Sequence, residues 1–405
     1  PPPPSSSHIP PASPPPHQAR ALFMRGFDAN DRHGPLHNAH ANFELRRGNI
    51  TGARTVLQRA VLLAPECATL WHCWGQLERA EGRAEHALEL FRRGLALTRG
   101  DESTAFLSHS LGATELRLGR IERARKSFDA GLRRAPGNTQ LLLGMALVHM
   151  RCGRSAQAQR YMLQAVRAQP QHAHAWHAWA VLEARLERRE VARDLFQQGL
   201  CHCPGHVPLW QAFAKFESEK ADIGAGKAGD EAGASERLVR RIYRSGVHAC
   251  PSSQPLLVSW ANFEMQKGKL SKAELLLAQA SKLPTGNQPA GELYHTQALL
   301  LIKQGERKRA RDCVEEGLRL APRHVPLYKV LGSLQDAANE IEAARTSFSK
   351  GLELQPDYAL LYHAWARLEA RLLNWEALNE LNRKAQEVFP AGVGQRKDAG
   401  LPLGR

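Results

Sequence analysis

The sequence predicts an all-α chain, a superhelical α-α solenoid of about ten tandem helix-turn-helix repeats, each 34 residues long, and three observations predict it. Prolines that end apolar-periodic helical segments stand at Pro65, Pro136, Pro170, Pro204, Pro322, Pro356 and Pro390, separated by 71, 34, 34, 118, 34 and 34 residues. The irregular intervals are two repeats plus three residues and three repeats plus sixteen, so they are whole repeats carrying insertions. Counted from 31 residues before its proline, the fifth repeat places Trp176 and Trp179 at positions 4 and 7, Ala180 at 8, Ala192 at 20, Phe196 at 24, Gly199 at 27 and Pro204 at 32. Large residues there fill the space between two helices and small ones let the helices approach. Finally, Gly48, Gly82, Gly119, Gly153, Gly268 and Gly305 all fall at position 15, where a first helix must stop.

Taken in chain order, residues 1–33 open PPPPSSSHIPPASPPP and are expected to be a disordered Pro- and Ser-rich segment. Residues 1–27 contain no Asp or Glu and carry Arg20 and Arg25, the composition of an organelle transit peptide remnant. The first residue is Pro rather than Met, as in a chain whose start lies upstream. Repeats then begin at Gly34, Ala68, Ala105, Thr139, Ala173, Val207, Gln254, Gly291, Val325 and Ala359, making an array over residues 34–390. Neither helix of a repeat can bury its apolar face alone, so stability comes from stacking on neighbours. The sixteen-residue insertion ADIGAGKAGDEAGASE, residues 221–236, is rich in Gly and Ala without a hydrophobic stripe and reads as a flexible loop. A smaller insertion lies near Pro284–Pro289, the tenth repeat ends in a cap with Asn382 where a large apolar residue belongs, and residues 391–405 read as a disordered tail.

Composition narrows the function. A net charge of +15 and a pI near 9.8 favour a polyanion or acidic surface as partner. Seven scattered cysteines are no disulfide framework, and no apolar run reaches the roughly 18 residues of a membrane span. Cys201, His202, Cys203 and His206 are too closely spaced for a structural zinc site. There is no Gly-rich phosphate loop, no His/Glu metal helix and no strand-borne nucleophile, so no enzyme, no cofactor and no small-molecule substrate are expected.

The positions above form the tetratricopeptide pattern, with one departure. Position 11 carries Glu44, Glu78, Glu115, Glu183, Glu217, Glu264 and Glu369, where an ordinary tetratricopeptide repeat has an aromatic residue, while His149, Leu301 and Gln335 break the Glu row. Arg54, Arg125, Arg193, Arg311 and Arg345 occupy position 21, as does Arg240 after the insertion. Together these residues resemble half-a-TPR (HAT) repeats over residues 34–390. That resemblance implies a role in RNA processing, with uninterrupted arrays resembling chloroplast photosystem II transcript maturation and stability factors, and nuclear splicing and cleavage-stimulation factors as the other branch. The Glu and Arg rows are expected to form an ion pair within each repeat, and the tryptophan pairs to be core.

By the same resemblance, positions 2, 5, 9, 12 and 13 of each first helix line a concave surface. Position 5 offers Asn38, His72, His109, His177, Gln211, His295, Lys329 and His363; with 18 His in 405 residues, chance would put about half a His in ten positions, not five. Position 13 offers Arg46, Arg117, Arg151, Arg185, Lys303 and Arg371, and position 9 adds Asn42, Gln76, Lys215 and Arg367. Planar side chains can stack on or hydrogen-bond to unpaired bases while Arg and Lys neutralise phosphates, so single-stranded RNA is the expected ligand. Six phosphate contacts from position 13 would give a salt slope of about −4. The alternative is a protein-binding scaffold among other RNA-processing proteins. Chloroplast stroma is the expected compartment and the nucleus its alternative.

Overall fold

The structure, a computed structural model, describes residues 16–98, 104–223, 229–283 and 291–389. The described residues form helices and turns without a strand, and ten of the helices begin at the repeat starts counted above. The chain divides into two compact units, Pro1–Cys203 and Pro204–Arg405.

In the first unit, α1 (Pro16–Ala29) precedes five pairs: α2 (Gly34–Arg46) and α3 (Ile50–Leu63), α4 (Ala68–Ala80) and α5 (Ala84–Leu97), α6 (Ala105–Arg117) and α7 (Ile121–Arg134), α8 (Thr139–Arg151) and α9 (Ser155–Ala168), α10 (Ala173–Arg185) and α11 (Arg189–His202). The second unit holds α12 (Val207–Ile223) and α13 (Gly229–Ala249), α14 (Gln254–Gln266) and α15 (Leu270–Ser281), α16 (Gly291–Gln304) and α17 (Arg307–Leu320), α18 (Val325–Ala337) and α19 (Ile341–Leu354), α20 (Ala359–Arg371) and α21 (Trp375–Val388). Inside each unit, every first helix packs on the first helix of the next repeat, and every second helix packs on its own partner and on the first helix that follows. The first helices therefore make one continuous layer per unit, which the position-5, -9 and -13 rows run along.

Local chemistry explains the repeat signature. The position-15 glycines have φ between 71° and 86°, a left-handed conformation that lets the position-16 amide donate back to the position-11 carbonyl, as Arg83 does to Glu78 at 2.8 Å. Glu187, Asn339 and Leu373 make the same turn at φ 60°, 62° and 55° without glycine. The turn proline and the position-4 aromatic are also linked: the indoles of Trp71, Trp176 and Trp210 donate to the carbonyls of Pro65, Pro170 and Pro204 at 2.8 Å, and the Tyr328 hydroxyl to that of Pro322 at 3.0 Å. Each bond satisfies a carbonyl in the inter-repeat turn, where no helical amide reaches it.

Three expectations need correction. Residues 16–29, inside the segment expected to be disordered, form α1, which packs on α2 through Phe23 stacked on His40 and Phe27 on His37. Ala19, Arg20, Phe23 and Gly26 fall at positions 20, 21, 24 and 27 of the same register, so α1 is the second helix of a half repeat. The insertion at 221–236 is mostly not loop: α12 extends to Ile223 and α13 begins at Gly229, in keeping with the helix propensity of alanine, while 224–228 lie outside the described residues. Residues 1–15, 284–290 and 390–405 likewise lie outside them.

The third correction concerns the Glu and Arg rows: the row-to-row pairs join successive repeats, while Arg125 pairs with Glu122 and Arg311 with Glu315 and Glu340. Arg54 Nε donates to Glu78 at 2.7 Å, Arg240 to Glu264 at 3.0 Å and Arg345 to Glu369 at 2.8 Å, each pair 24 residues apart, and Arg20 of α1 makes a bidentate pair with Glu44 at 2.7 Å. Each bond joins a second helix to the first helix that follows it. The carboxylates are buried, at 0% exposure for Glu78 and Glu264, and the position-7 indoles of Trp74, Trp179, Trp260 and Trp365 donate to such carboxylates from one turn earlier. Both tryptophan rows are thus packing residues, Trp71 and Trp176 being buried.

Candidate nucleic-acid interface

In the first unit, the position-13 candidates Arg46, Arg117, Arg151 and Arg185 stand exposed on α2, α6, α8 and α10. Of these, Arg151 Nη1 donates to the carbonyl of Leu116 at the end of α6. Arg46, Arg117 and Arg185 make no hydrogen bond or ion pair with a described residue. In the second unit both position-13 cations are engaged: Lys303 Nζ donates to the Met265 carbonyl at 3.1 Å, and Arg371 pairs with Asp336. In all three engaged cases the cation reaches the last turn of the preceding first helix, where the helix dipole is negative. Half the expected row is therefore structural.

Position 5 divides in a similar way. His72 Nε2 lies 3.0 Å from Ser110 Oγ and 3.0 Å from Gln76 Nε2, and Gln76 also donates to Ser110 at 3.1 Å, closing a triangle between α4 and α6. Gln211 donates to Ser259 Oγ at 2.7 Å and to the Pro255 carbonyl at 3.1 Å, tying α12 to α14. Asn38 and Asn42 bond to each other at 3.2 Å. His109, His177, His295 and Lys329 are half-buried, whereas His363, Lys215 and Arg367 are exposed. Burial pushes His72, His109 and His177 below the ordinary imidazole range and His295 down to about 4. At neutral pH these four rings are uncharged, so they act as planar hydrogen-bonding surfaces and the cationic character of the layer rests on its arginines.

The row count passed over one residue. Arg79 stands at position 12 of α4, half-buried, its side chain making no hydrogen bond or ion pair to a described residue. Position 12 is not a basic row: Leu45, Leu116, Met150 and Ala184 occupy it in the other repeats of the first unit, so recurrence gave no signal. Partial desolvation and the nearby charge of Arg117 lower the Arg79 pKa, and Arg79 in turn depresses His72 and His109. The first unit carries 27 Lys and Arg against 17 Asp and Glu, a net of +10, and the second 28 against 23, a net of +5.

Among the described residues, no group of three or more His, Cys, Asp or Glu could hold a metal ion, and no helix is long and apolar enough to cross a membrane. Cys201 and Cys203 are free thiols.

Two models of the tetratricopeptide repeat match the chain, one over residues 38–102 and 295–359 and the other over 115–182. No curated protein matches it significantly. Yeast Tom70 shares the fold at a TM-score of 0.51 and 10% identity, with 92% of this chain and 88% of that one covered. A tetratricopeptide repeat protein from Parabacteroides merdae aligns at a TM-score of 0.39 and 17% identity, over 65% of this chain and 97% of that one. Residues 38–102, 115–182 and 295–359 are thus tetratricopeptide repeats, and the chain is an all-α repeat solenoid.

Proposed function

We propose that this chain is a non-enzymatic RNA-processing factor that binds single-stranded RNA along the first-helix layer of residues 34–203, keeping an organellar transcript extended and covered. The observation that carries this reading is the imbalance of charge on that layer. Arg46, Arg117 and Arg185 recur at one repeat position without an acidic partner among the described residues, while the position-11 carboxylates Glu44, Glu78, Glu115 and Glu183 are buried. On the same three helices, Asn38, His109 and His177 at position 5 lie two helical turns away and Asn42 at position 9 lies one turn from Arg46, a combination of planar surfaces and phosphate ligands that suits an unpaired strand. The half-a-TPR resemblance supports the RNA-processing role and the plastid compartment.

The test is fluorescence anisotropy of the purified chain, free of partners, with an unstructured RNA strand and with the same sequence as a duplex. Three phosphate contacts give a slope of about −2 in log affinity against log salt, or about a twentyfold loss between 50 and 200 mM. A slope near zero, or equal affinity for the duplex, would overturn the reading. A second reading, a protein-interaction scaffold in a nuclear RNA-processing complex, is favoured by the tetratricopeptide repeats themselves, which point to protein partners. Weak, length-insensitive RNA binding beside tight uptake of an acidic peptide would select it.

A further inference from the structure

Arg79 is the side chain of this layer that the fold leaves unexplained. It has surrendered part of its hydration and gained no counter-ion from the described residues, and the charges that act on it and on its neighbours His72 and His109 are all positive. A guanidinium does not relieve such a position by losing its proton, so the cost persists until an anion arrives. The surroundings are ordered for one. The triangle of His72, Gln76 and Ser110 fixes α4, which carries Arg79, against α6, which carries Arg117. Ala80 takes position 13 of α4 and Ala113 position 9 of α6, where α2 has Arg46 and Asn42, so neither helix carries a long polar side chain at those positions.

We propose that Arg79 and Arg117, held on α4 and α6 by the His72–Gln76–Ser110 triangle, form a seat for one phosphoryl group. Two guanidinium forks match the oxygens of a phosphate in the bidentate geometry that lysine cannot supply. The inference rests on the RNA reading for the identity of the ligand, and it deepens that reading by placing one phosphate of the strand; the seat itself requires only the phosphoryl group. That group is either an internal phosphodiester or a terminal monoester.

The probes are inorganic phosphate and one short RNA oligonucleotide with either a 5′-hydroxyl or a 5′-phosphate, offered to the full chain and to R79Q, R117Q, the double variant and R185Q as the control. At constant ionic strength, phosphate should raise the thermal midpoint of the parent chain and leave that of the double variant unmoved. R79Q and R117Q should each weaken RNA binding about tenfold, against about threefold for the exposed control. Without ligand, R79Q should melt at or above the parent midpoint, because a like-charge repulsion is relieved; a lower midpoint would make Arg79 a structural residue and end the proposal. Equal affinity for the two oligonucleotides assigns the seat to a phosphodiester, and a preference for the 5′-phosphate that R79Q abolishes assigns it to a monoester. If RNA binds but R79Q and R117Q cost no more than R185Q, the seat is refuted while the RNA reading survives. If phosphate acts through Arg79 and RNA does not bind, the seat survives and the RNA reading fails.

Discussion

Glu78 is fully buried and accepts from Arg54 across a repeat boundary, so the pair is where a single side chain couples two repeats. Arg54→Ala leaves a carboxylate without its main partner, and breaking a buried pair commonly costs about 3–5 kcal/mol. Glu78 keeps the Trp74 indole at 3.2 Å and Arg83 at 3.2 Å, so the expected loss is smaller, about 2–3 kcal/mol, read as a lower urea midpoint. Adding Glu78→Gln removes the stranded charge and should recover part of the loss; a double variant no better than the sum of the singles would mean that Arg54 acts through packing alone. The inter-repeat direction was not legible from the two rows. The glutamate of position 11 and the arginine of position 21 stand 10 residues apart within a repeat and 24 apart between repeats, and each row alone allows both. The exceptions do not decide it: Arg20 precedes the first complete repeat and the second repeat has Glu78 with Leu88 at position 21, which favour pairing between repeats, but Arg125 stands 10 residues after Glu115 and 24 before His149, which favours pairing within one. Arg79 was illegible for the opposite reason, since it belongs to no row.

At the scale of the helix pair, glycine at position 8 always has phenylalanine at position 24. Gly75, Gly112 and Gly332 face Phe91, Phe128 and Phe348, and a Cβ on Gly75 would lie 2.3 Å from the Phe91 ring, whereas Ala41 and Ala261 accompany Leu57 and Leu277. Gly75→Ala is therefore expected to destabilise the first unit by about 1 kcal/mol, the low end for overpacking, because Ala180 beside Phe196 shows that a helix pair can accommodate both. Phe91→Leu in that background should restore much of the thermal midpoint by making the repeat resemble the first and seventh; if it lowers the midpoint further, the clash is not the cause. Element boundaries were readable because the stops are chemical: a left-handed position 15 and a proline bonded to the position-4 aromatic. The half repeat α1 escaped because a count anchored on terminal prolines starts after it and because Pro and Ser dominate the residues before it. Its Ala19, Arg20, Phe23 and Gly26 were nonetheless in register.

Across the molecule, the buried imidazoles and carboxylates set how stability responds to acid, and they act in sequence. An unfolded histidine takes up its proton near pH 6.5, whereas folded His72, His109 and His177 do so lower and His295 only at about 4. Between these values the unfolded chain binds more protons, so the contribution of these rings is complete above pH 6.5 and is lost as pH falls toward 4. The carboxylates then take over. Hydrogen bonds from Arg20 hold Glu44 down to about 2 against an ordinary 4.5, and hydrogen bonds from Arg345 hold Glu369 below its ordinary value, so their stabilisation is present above pH 4.5 and is lost on the way down from there. The thermal midpoint should thus fall steadily below pH 6.5 without a plateau at pH 5, where carboxylates alone would leave one. His295→Gln, which cannot protonate, should flatten the fall between pH 6.5 and 4 and leave the limb below pH 4 unchanged. A midpoint constant from pH 6.5 to 5 in the parent chain would show that the inner histidines titrate alike folded and unfolded, and burial would then not be what keeps the rings of the layer uncharged.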